Sequence, residues 1–372
     1  MNHQYEIGIV IVTWNGLAHL ERLFPSLFMQ DTDKKYKIVV VNNGSTDGTK
    51  DYILDYPEID YIELSKNEGF AEPNNIGIRH LFSKYPSIEK IVFLNNDTVV
   101  PKTFISTLLS GFDSSLRCVR HSFSEGGRTE RGNPGLIATV QTKIVSFDNP
   151  KIIDSVGILV DESMSAINKG QGETDIGQYN EACEIFGTTA SAMMISKEAL
   201  QAVDLSNETY FDPLYFAYQE DVDLAWRLRL LGFTSQYISG EPVLHVHSAT
   251  GQSYSAFKSF HIHRNTLFTI VKNMPFSLVF KVLGLFCMRY IHLVLSVFRK
   301  RGPSYEVSKK TGIFAMMWSV VVSWLSLLWY VSELIKKRSI IQKKRKISIN
   351  DTKEIFHKFK ANKQKIIYGT RS

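Results

Sequence analysis

The chain predicts an α/β fold, a mostly parallel sheet flanked by helices, followed by a helical C-terminal region that is both apolar and basic. Three observations lead there. Short apolar runs alternate with segments of helical periodicity through the first hundred residues, a pattern that implies right-handed crossovers between parallel strands. Each run ends in a polar loop bearing Asn or Gly, so these loops fall on one rim of the sheet, where open α/β sheets bind ligands. The charge is also uneven. Between Arg299 and Lys346 twelve Lys or Arg stand against only Glu306 and Glu333, while the whole chain is +6, so the remainder is mildly acidic.

Residues 7–12 read as the first strand, and Thr13-Trp14-Asn15-Gly16 follows at once. Residues 17–29 carry Leu17, Leu20, Leu23, Phe24 and Leu27 on one helical face. Residues 38–41, 61–64 and 91–94 are the second, third and fourth strands, with helical segments between them. Their loops are Asn42-Asn43-Gly44-Ser45-Thr46-Asp47-Gly48, Asn67-Glu68-Gly69 and Asn95-Asn96-Asp97. Amides and hydroxyls there can read a base and a ribose, and glycines let the backbone approach phosphates. One such loop would be a turn; four on one rim are read as a site. Asp97, at the end of the buried run Ile91–Leu94, stands where a divalent cation could bridge protein oxygen and a diphosphate.

In the second half, residues 187–195 read as a loop of small residues entering a strand, either leaving room for a ligand or simply packing tightly. Residues 215–229 read as an aromatic entry followed by a helix. Asp221 near its start has its anion favoured by the helix dipole, and Arg227 can pair with Asp223 four residues earlier. Residues 243–248 read as a short strand with His245 and His247 on one side; neutral imidazole suits Mn²⁺ better than Mg²⁺. His261 and His263, just before Arg264 and Asn265, are read as packing or phosphate neighbours. Residues 120–135, rich in Gly, Arg and Ser, read as a mobile loop.

At 372 residues the chain can bury a large core, and its ordinary composition excludes general disorder. Cys118, Cys183 and Cys287 make neither a disulfide framework nor a zinc site, which fits a reducing compartment. No signal peptide is read at the N-terminus. Nucleic acid is excluded as a partner, because the basic residues lie in the tail and are not interleaved with stacking residues on the folded domain.

Residues 6–265 resemble, in order and spacing, the family 2 glycosyltransferases with a GT-A (Rossmann-like) fold, in the branch that includes many bacterial rhamnosyltransferases. The resemblance runs through residues 9–15, 41–48, 67–71, 75–77, 94–97 and 216–224. It implies that Thr13, Asn15, Asn42, Asn43, Ser45, Asn67, Gly69, Asn75, Asn95 and Asn96 bind a nucleotide sugar. It makes Asn95-Asn96-Asp97 the counterpart of the metal-binding DxD motif, with Asp97 and His245 as ligands of Mn or Mg and His247 as a phosphate or second metal contact. It places the general base at Asp221, with Glu220 as the fallback, and the acceptor beside Thr188, Thr189 and Trp226. Inversion needs such a base to take the proton of the attacking hydroxyl, and positive charge on the departing diphosphate.

Three departures stand out. Asn42-Asn43 replaces a loop where many relatives carry Asp, although an amide can still pair with an imide. Glu72-Pro73 stands where small residues are common. The first two DxD positions are Asn, which leaves Asp97 as the only charged ligand. The chain also lacks the longer multi-span region and the Gln-x-x-Arg-Trp motif of processive relatives, so one sugar is expected per event.

The chain is expected to divide into a catalytic domain at 1–265, a membrane-associating helical region at 266–346 and a basic tail at 347–372. Residues 277–298 are apolar except for Lys281, Arg289 and His292, which share an arc of roughly 80° and so read as the polar stripe of an in-plane helix. Residues 313–331 carry no charge over nineteen residues, enough to span a bilayer. Two spans would put the basic loop 299–310 outside, against the positive-inside rule. Two helices lying on the cytoplasmic face of a bacterial inner membrane, peripheral or monotopic, are therefore expected, with the basic clusters on anionic headgroups. The alternative is a helical hairpin packed on the catalytic domain or on a homodimer partner, for which Ser319, Ser323 and Ser326 offer a small-residue face.

The expected function is transfer of one sugar, from dTDP-rhamnose or a UDP-sugar, to a hydroxyl of a lipid-linked or cell-envelope glycan. A catalytically weak membrane-bound scaffold is the alternative that the Asn-for-Asp changes keep open. A sugar nucleotidyltransferase fits less well, because the turn at 13–16 has no basic residue for a triphosphate.

Overall fold

The computed structural model describes residues 4–122, 135–246, 255–300, 305, 308, 309 and 312–361. Its first half follows the apolar periodicity: β1 (Ile7–Thr13), α1 (Leu17–Leu27), β2 (Tyr36–Asn42), α2 (Thr49–Leu54), β3 (Asp60–Glu63), α3 (Ala71–Lys84) and β4 (Lys90–Leu94). Parallel pairing joins β1 to β2 and β4, and β2 to β3. Both faces of β1 are buried. Ile7, Ile9 and Ile11 pack with Leu20, Leu23 and Phe24 of α1, whereas Val10 packs with Ile78 and Leu81 of α3. Burial on both faces is why β1, β2 and β4 read as continuous apolar runs.

The chain continues through β5 (Thr98–Val99), α4 (Phe104–Ser122), β6 (Ile137–Gln141), β7 (Ile144–Ser146), β8 (Ile153–Ser155), β9 (Ile158–Val160), β10 (Ala166–Asn168) and β11 (Cys183–Ile185). Then come β12 (Ala192–Ser196), α5 (Lys197–Val203), α6 (Glu220–Leu230), β13 (Thr234–Tyr237) and β14 (Val243–His245). The main sheet has eight strands in the order β11-β13-β6-β12-β4-β1-β2-β3. β12 lies antiparallel between β4 and β6, so the first half is parallel and the second mixed. A separate four-stranded sheet, β5-β14-β7-β8, forms just past the end of β4. Of the expected loop at 120–135, residues 123–134 lie outside the described residues.

The chain then runs through α7 (Ala256–Asn273), α8 (Phe276–Phe298), α9 (Ile313–Trp329), α10 (Val331–Lys344) and α11 (Ile349–Lys358). The expected boundary at 265 falls inside α7. Beyond it, Lys272 is fully buried and pairs with Asp212 and, at 3.1 Å, with Asp223. Lys337 of α10 reaches the same Asp212 at 2.6 Å, and Arg338 donates to the carbonyls of Val271 (2.6 Å) and Met274 (2.7 Å). Part of the basic cluster expected to face lipid headgroups is thus directed inward, at Asp212 and the end of α7. On α9, Ser319 and Ser323 are buried, and Ser323 Oγ donates to Phe260 O (3.4 Å) of α7. Residues 349–359 are not a free tail, since Phe356 and Phe359 pack on Trp226 and Phe186.

The outward faces of α8 and α9 remain apolar, with Phe276, Phe280, Phe298, Phe314, Leu328 and Trp329 each at least 70% exposed. Among the described residues, α8 is long and apolar enough to cross a membrane, and α9 with α10 would make a second such segment, bent by 69°. The expected polar stripe on α8 divides. Lys281 is exposed and pairs with Glu162 at 3.4 Å, and His292 is exposed, but Arg289 has its Nε sealed from water.

Candidate active site

The helix carrying the expected base is entered through unusual backbone. Phe216, Tyr218 and Gln219, just ahead of α6, have φ of 59°, 69° and 70°, a left-handed region that non-glycine residues enter at a cost and keep only where neighbours impose it. Asn265 of α7 imposes it. Its Nδ2 donates to the carbonyls of Tyr215 (2.9 Å), Ala217 (2.9 Å) and Tyr218 (2.7 Å). Arg264 adds bonds to Leu214 O (2.8 Å) and Tyr215 O (3.0 Å). Below the loop, Asp223 pairs with Arg227 at 2.9 Å as expected. The pair is fully buried and shared with Tyr215, Asn273 and Lys272, so it belongs to the core and not to a solvated helix face.

Gly69 abuts the same loop. Its φ is +82°, and a Cβ there would lie 2.3 Å from Phe216 O. Only glycine lets the 67–69 loop approach this closely. Asn43 ties that loop to β2, with Nδ2 donating to Asn67 Oδ1 (3.0 Å) and Gly69 O (2.7 Å) and Oδ1 accepting from Glu68 N (2.8 Å).

These elements enclose a cavity of about 820 Å³ at the carboxyl end of the parallel strands. Its lining includes Trp14, Asn43, Asn67, Gly69, Asn95, Asn96 and Asp97 from the first half of the chain, and Thr189, Phe216, Glu220, Asp221, His245 and Lys258 from the second. Asp154, Ile158 and Asn168 complete the wall. Asp221 is half-buried. Burial pushes its carboxyl up to about 6, against the bond it accepts from Val222 N at 2.8 Å. Burial, reinforced by repulsion from Asp221, pushes Glu220 up to about 8, and its Oε2 has no partner among the described residues.

The small sheet assembles a second charged group. His245 stands opposite Thr98, and Val246 N donates to Asp97 O (2.9 Å). His245 Nε2 lies 3.3 Å from Asp97 Oδ1, and its Nδ1 lies 2.7 Å from Asp154 Oδ2. Burial alone would lower the imidazole, but the Asp154 and Asp97 carboxylates outweigh it and raise it to about 10. Among the described residues no three His, Cys, Asp or Glu converge as a complete metal site. Two groups of the right chemistry do face each other, and His245 would become a ligand on giving up its proton to an incoming cation. Asp97 Oδ1 is buried without a hydrogen bond, His245 Nε2 points at it, and Asp154 holds the far nitrogen as outer-shell carboxylates hold metal-bound histidines. This donor set fits a divalent cation completed by ligand and solvent oxygens.

Of the expected site residues, Asn43, Asn67, Gly69, Asn95, Asn96, Asp97, Thr189, Glu220, Asp221 and His245 line one cavity. Others do not. Trp226, expected on the acceptor side, is fully buried against Phe186 and Phe356. Thr188 is buried and donates to Met193 Sδ (2.8 Å). Asn75 is a structural pin: its Oδ1 accepts from Tyr210 N (3.1 Å) and Phe211 N (2.9 Å), and its Nδ2 donates to Phe211 O (2.8 Å). Asn42 is buried between Tyr61 OH (3.0 Å) and Ser45 N (3.1 Å), and Thr13 Oγ1 accepts from Asn96 Nδ2 (2.9 Å). Asn15 and Ser45 join at the exposed rim beside Trp14 through a 2.9 Å bond. His247 lies outside the described residues. His261 is a packing residue, stacked on Phe216. Asp154, Lys258 and the supporting role of Asn265 were not anticipated.

Comparison with known proteins agrees with this architecture. Residues 8–203 match the model of Glycosyl transferase family 2, and the chain belongs to that family. It is similar to the dTDP-rhamnosyl transferase RfbF of Shigella flexneri, 27% identical over 228 residues that cover 61% of this chain and 64% of that protein. It is also similar to the N-acetylglucosaminyl-diphospho-decaprenol L-rhamnosyltransferase of Mycobacterium tuberculosis, 24% identical over 275 residues, 70% of this chain and 82% of that one. In fold it resembles the crystal structure of GalNAc-T7 with UDP, GalNAc and Mn²⁺, with a TM-score of 0.51 and 15% identity over 73% of this chain and 48% of that chain. The mixed sheet with helices on both faces is the GT-A arrangement.

Proposed function

We propose that this protein is an inverting, metal-dependent glycosyltransferase that moves one sugar at a time from a nucleotide sugar to a hydroxyl of a lipid-linked glycan at the cytoplasmic face of a membrane. The observation that carries this reading is a single cavity lined both by a carboxyl pair, Glu220 and Asp221, and by Asp97 with His245. The names of the similar rhamnosyltransferases support dTDP-rhamnose as donor and a diphospho-lipid sugar as acceptor. The exposed apolar faces of α8 and α9 support a membrane location.

The nucleotide would lie over Asn43, Asn67 and Gly69, with Trp14 available to stack on a ring. Asp221 accepts the proton of the acceptor hydroxyl as that oxygen attacks the anomeric carbon from the face opposite the diphosphate. Glu220, pushed up by burial, is neutral at neutral pH and adds no second negative charge next to the base. Lys258 Nζ, at the cavity wall, brings positive charge toward the diphosphate. A divalent cation held by Asp97 and His245 would supply further charge stabilisation for the leaving group.

The test is donor turnover by the full-length protein. UDP-, dTDP- and GDP-sugars would be offered with Mn²⁺, Mg²⁺ or EDTA, and nucleoside diphosphate release followed with acceptor lipid present. Metal-dependent release from one donor, lost in Asp97→Ala, is expected. If no nucleoside diphosphate is released or bound under any condition, the proposal is wrong. Folded Asp221→Asn that still supports glycan assembly in cells would favour a scaffold instead.

A further inference from the structure

The face that α8 turns toward the catalytic domain carries polar atoms that nothing among the described residues satisfies. Arg289 Nε, Tyr290 OH and His263 Nδ1 are each sealed from water and make no hydrogen bond among the described residues. They share one locality: the rings of His263 on α7 and Tyr290 on α8 meet edge-on at 4.9 Å, and the charge of Arg289 acts on His263. The carboxylate whose field reaches Arg289 is Asp161. Its Oδ1 already accepts from Ser163 N (2.9 Å), Ser163 Oγ (2.6 Å) and Ser165 N (3.0 Å). Guanidinium and phenol are donors here, and imidazole can be one. Buried donors gathered without an acceptor fit an anion with several oxygens.

The surroundings narrow the anion. The strands flanking the Asp161 turn contribute Ile158 and Asn168 to the active-site cavity. On the other side of α8 the exposed row Phe276, Phe280, Ile291 and Phe298 faces outward. The donors therefore lie between a sugar-sized cavity and an apolar surface. We propose that Arg289, Tyr290 and His263 form a binding site for a phosphate group carried on a lipid. That this lipid is the acceptor, with its diphosphate on Arg289 and its sugar toward Asp221, rests on the glycosyltransferase reading. The lipid-phosphate site itself does not.

The experiment uses full-length protein and vesicles of neutral phosphatidylcholine, alone or doped with a polyprenyl diphosphate or with phosphatidylglycerol. Wild-type protein is expected to bind the diphosphate vesicles at least tenfold more tightly than neutral ones. Arg289→Gln should lose about tenfold of that affinity, the loss expected for a charge-assisted contact, and Tyr290→Phe a smaller part. Calorimetric binding of a nucleoside diphosphate with Mn²⁺ should stay within twofold in both variants. If Arg289→Gln instead loses binding to phosphatidylglycerol, the site holds the bilayer's own phosphate and the acceptor assignment falls. If both variants bind every vesicle as the wild type does, there is no such site. If Arg289→Gln does not fold, Tyr290→Phe, which removes one oxygen, decides alone. A wild-type protein that binds diphosphate lipid but no nucleotide would overturn the glycosyltransferase reading and leave this site standing.

Discussion

Asn265→Ala removes a side-chain amide that holds the backbone ahead of the proposed base. Its Nδ2 reaches three carbonyls at 2.7 to 2.9 Å, and the segment it holds contains three non-glycine residues at φ of 59° to 70°. Such conformations cost about 1–3 kcal/mol each, so roughly 3–9 kcal/mol of strain is held in place by contacts. Each lost hydrogen bond removes about 1 kcal/mol net, or about 3 kcal/mol together if the loop stayed put. Relaxation of even one strained residue offsets much of that, so the loop should move. Net stability is then expected to fall by no more than about 2 kcal/mol. Displacement of Asp221 by about 1 Å should lower kcat by about 100-fold. Donor binding should hold within threefold, because Asn43 and Asn67 are tied to β2 and not to α7. Urea unfolding followed by circular dichroism, nucleotide calorimetry and turnover on one preparation read all three quantities. Unchanged kcat would refute the positioning role, as would a kcat loss no larger than the unfolded fraction explains.

The carboxyl of Asp221, raised by burial to about 6, is neutral below that pH, so kcat/KM should climb through about 6 and level off above it. A flat profile between pH 5 and 7 would remove Asp221 as base. Asp154→Asn should weaken Mn²⁺ binding by about 10- to 100-fold, the usual effect of losing the carboxylate behind a metal-bound histidine; an unchanged calorimetric Kd would sink that role. Trp226→Ala should destabilise the protein by about 3–5 kcal/mol, as truncation of a buried aromatic does, with acceptor KM unaltered in the folded protein. A raised acceptor KM at wild-type stability would return Trp226 to the cleft.

The first half of the fold was legible because β1, β2 and β4 are buried on both faces and each strand ends in a loop on one rim. Asp97 and Asp221 could be found for related reasons: one ends a buried strand, the other opens a helix behind an aromatic stretch. The role of each amide was not legible. Asn43 and Asn95 line the cavity, while Asn42 and Asn75 are consumed by the backbone, and an Asn in a glycine-bearing loop looks the same in either role. Asp154 lies on a three-residue strand, too short for any period to show. Trp226 could have been excluded from the chain alone, since five residues along a helix rotate it by about 140° from Asp221, away from the cleft.

The buried ion network beneath α6 bears on where this protein can be cut. Asp212 is held from two directions, by Lys272 of α7 and by Lys337 of α10, and Asp212 lies three residues before Tyr215, whose carbonyl Asn265 grips. The chain therefore leaves the sheet, runs through its greasy helices and comes back to brace the loop that presents the base. A fragment ended at 265, or just before α8, would be no isolated catalytic module, because it would lack the clamp that the returning helix applies. The apolar helices are built into the frame of the active site, and whatever surface they rest on bears on the same frame.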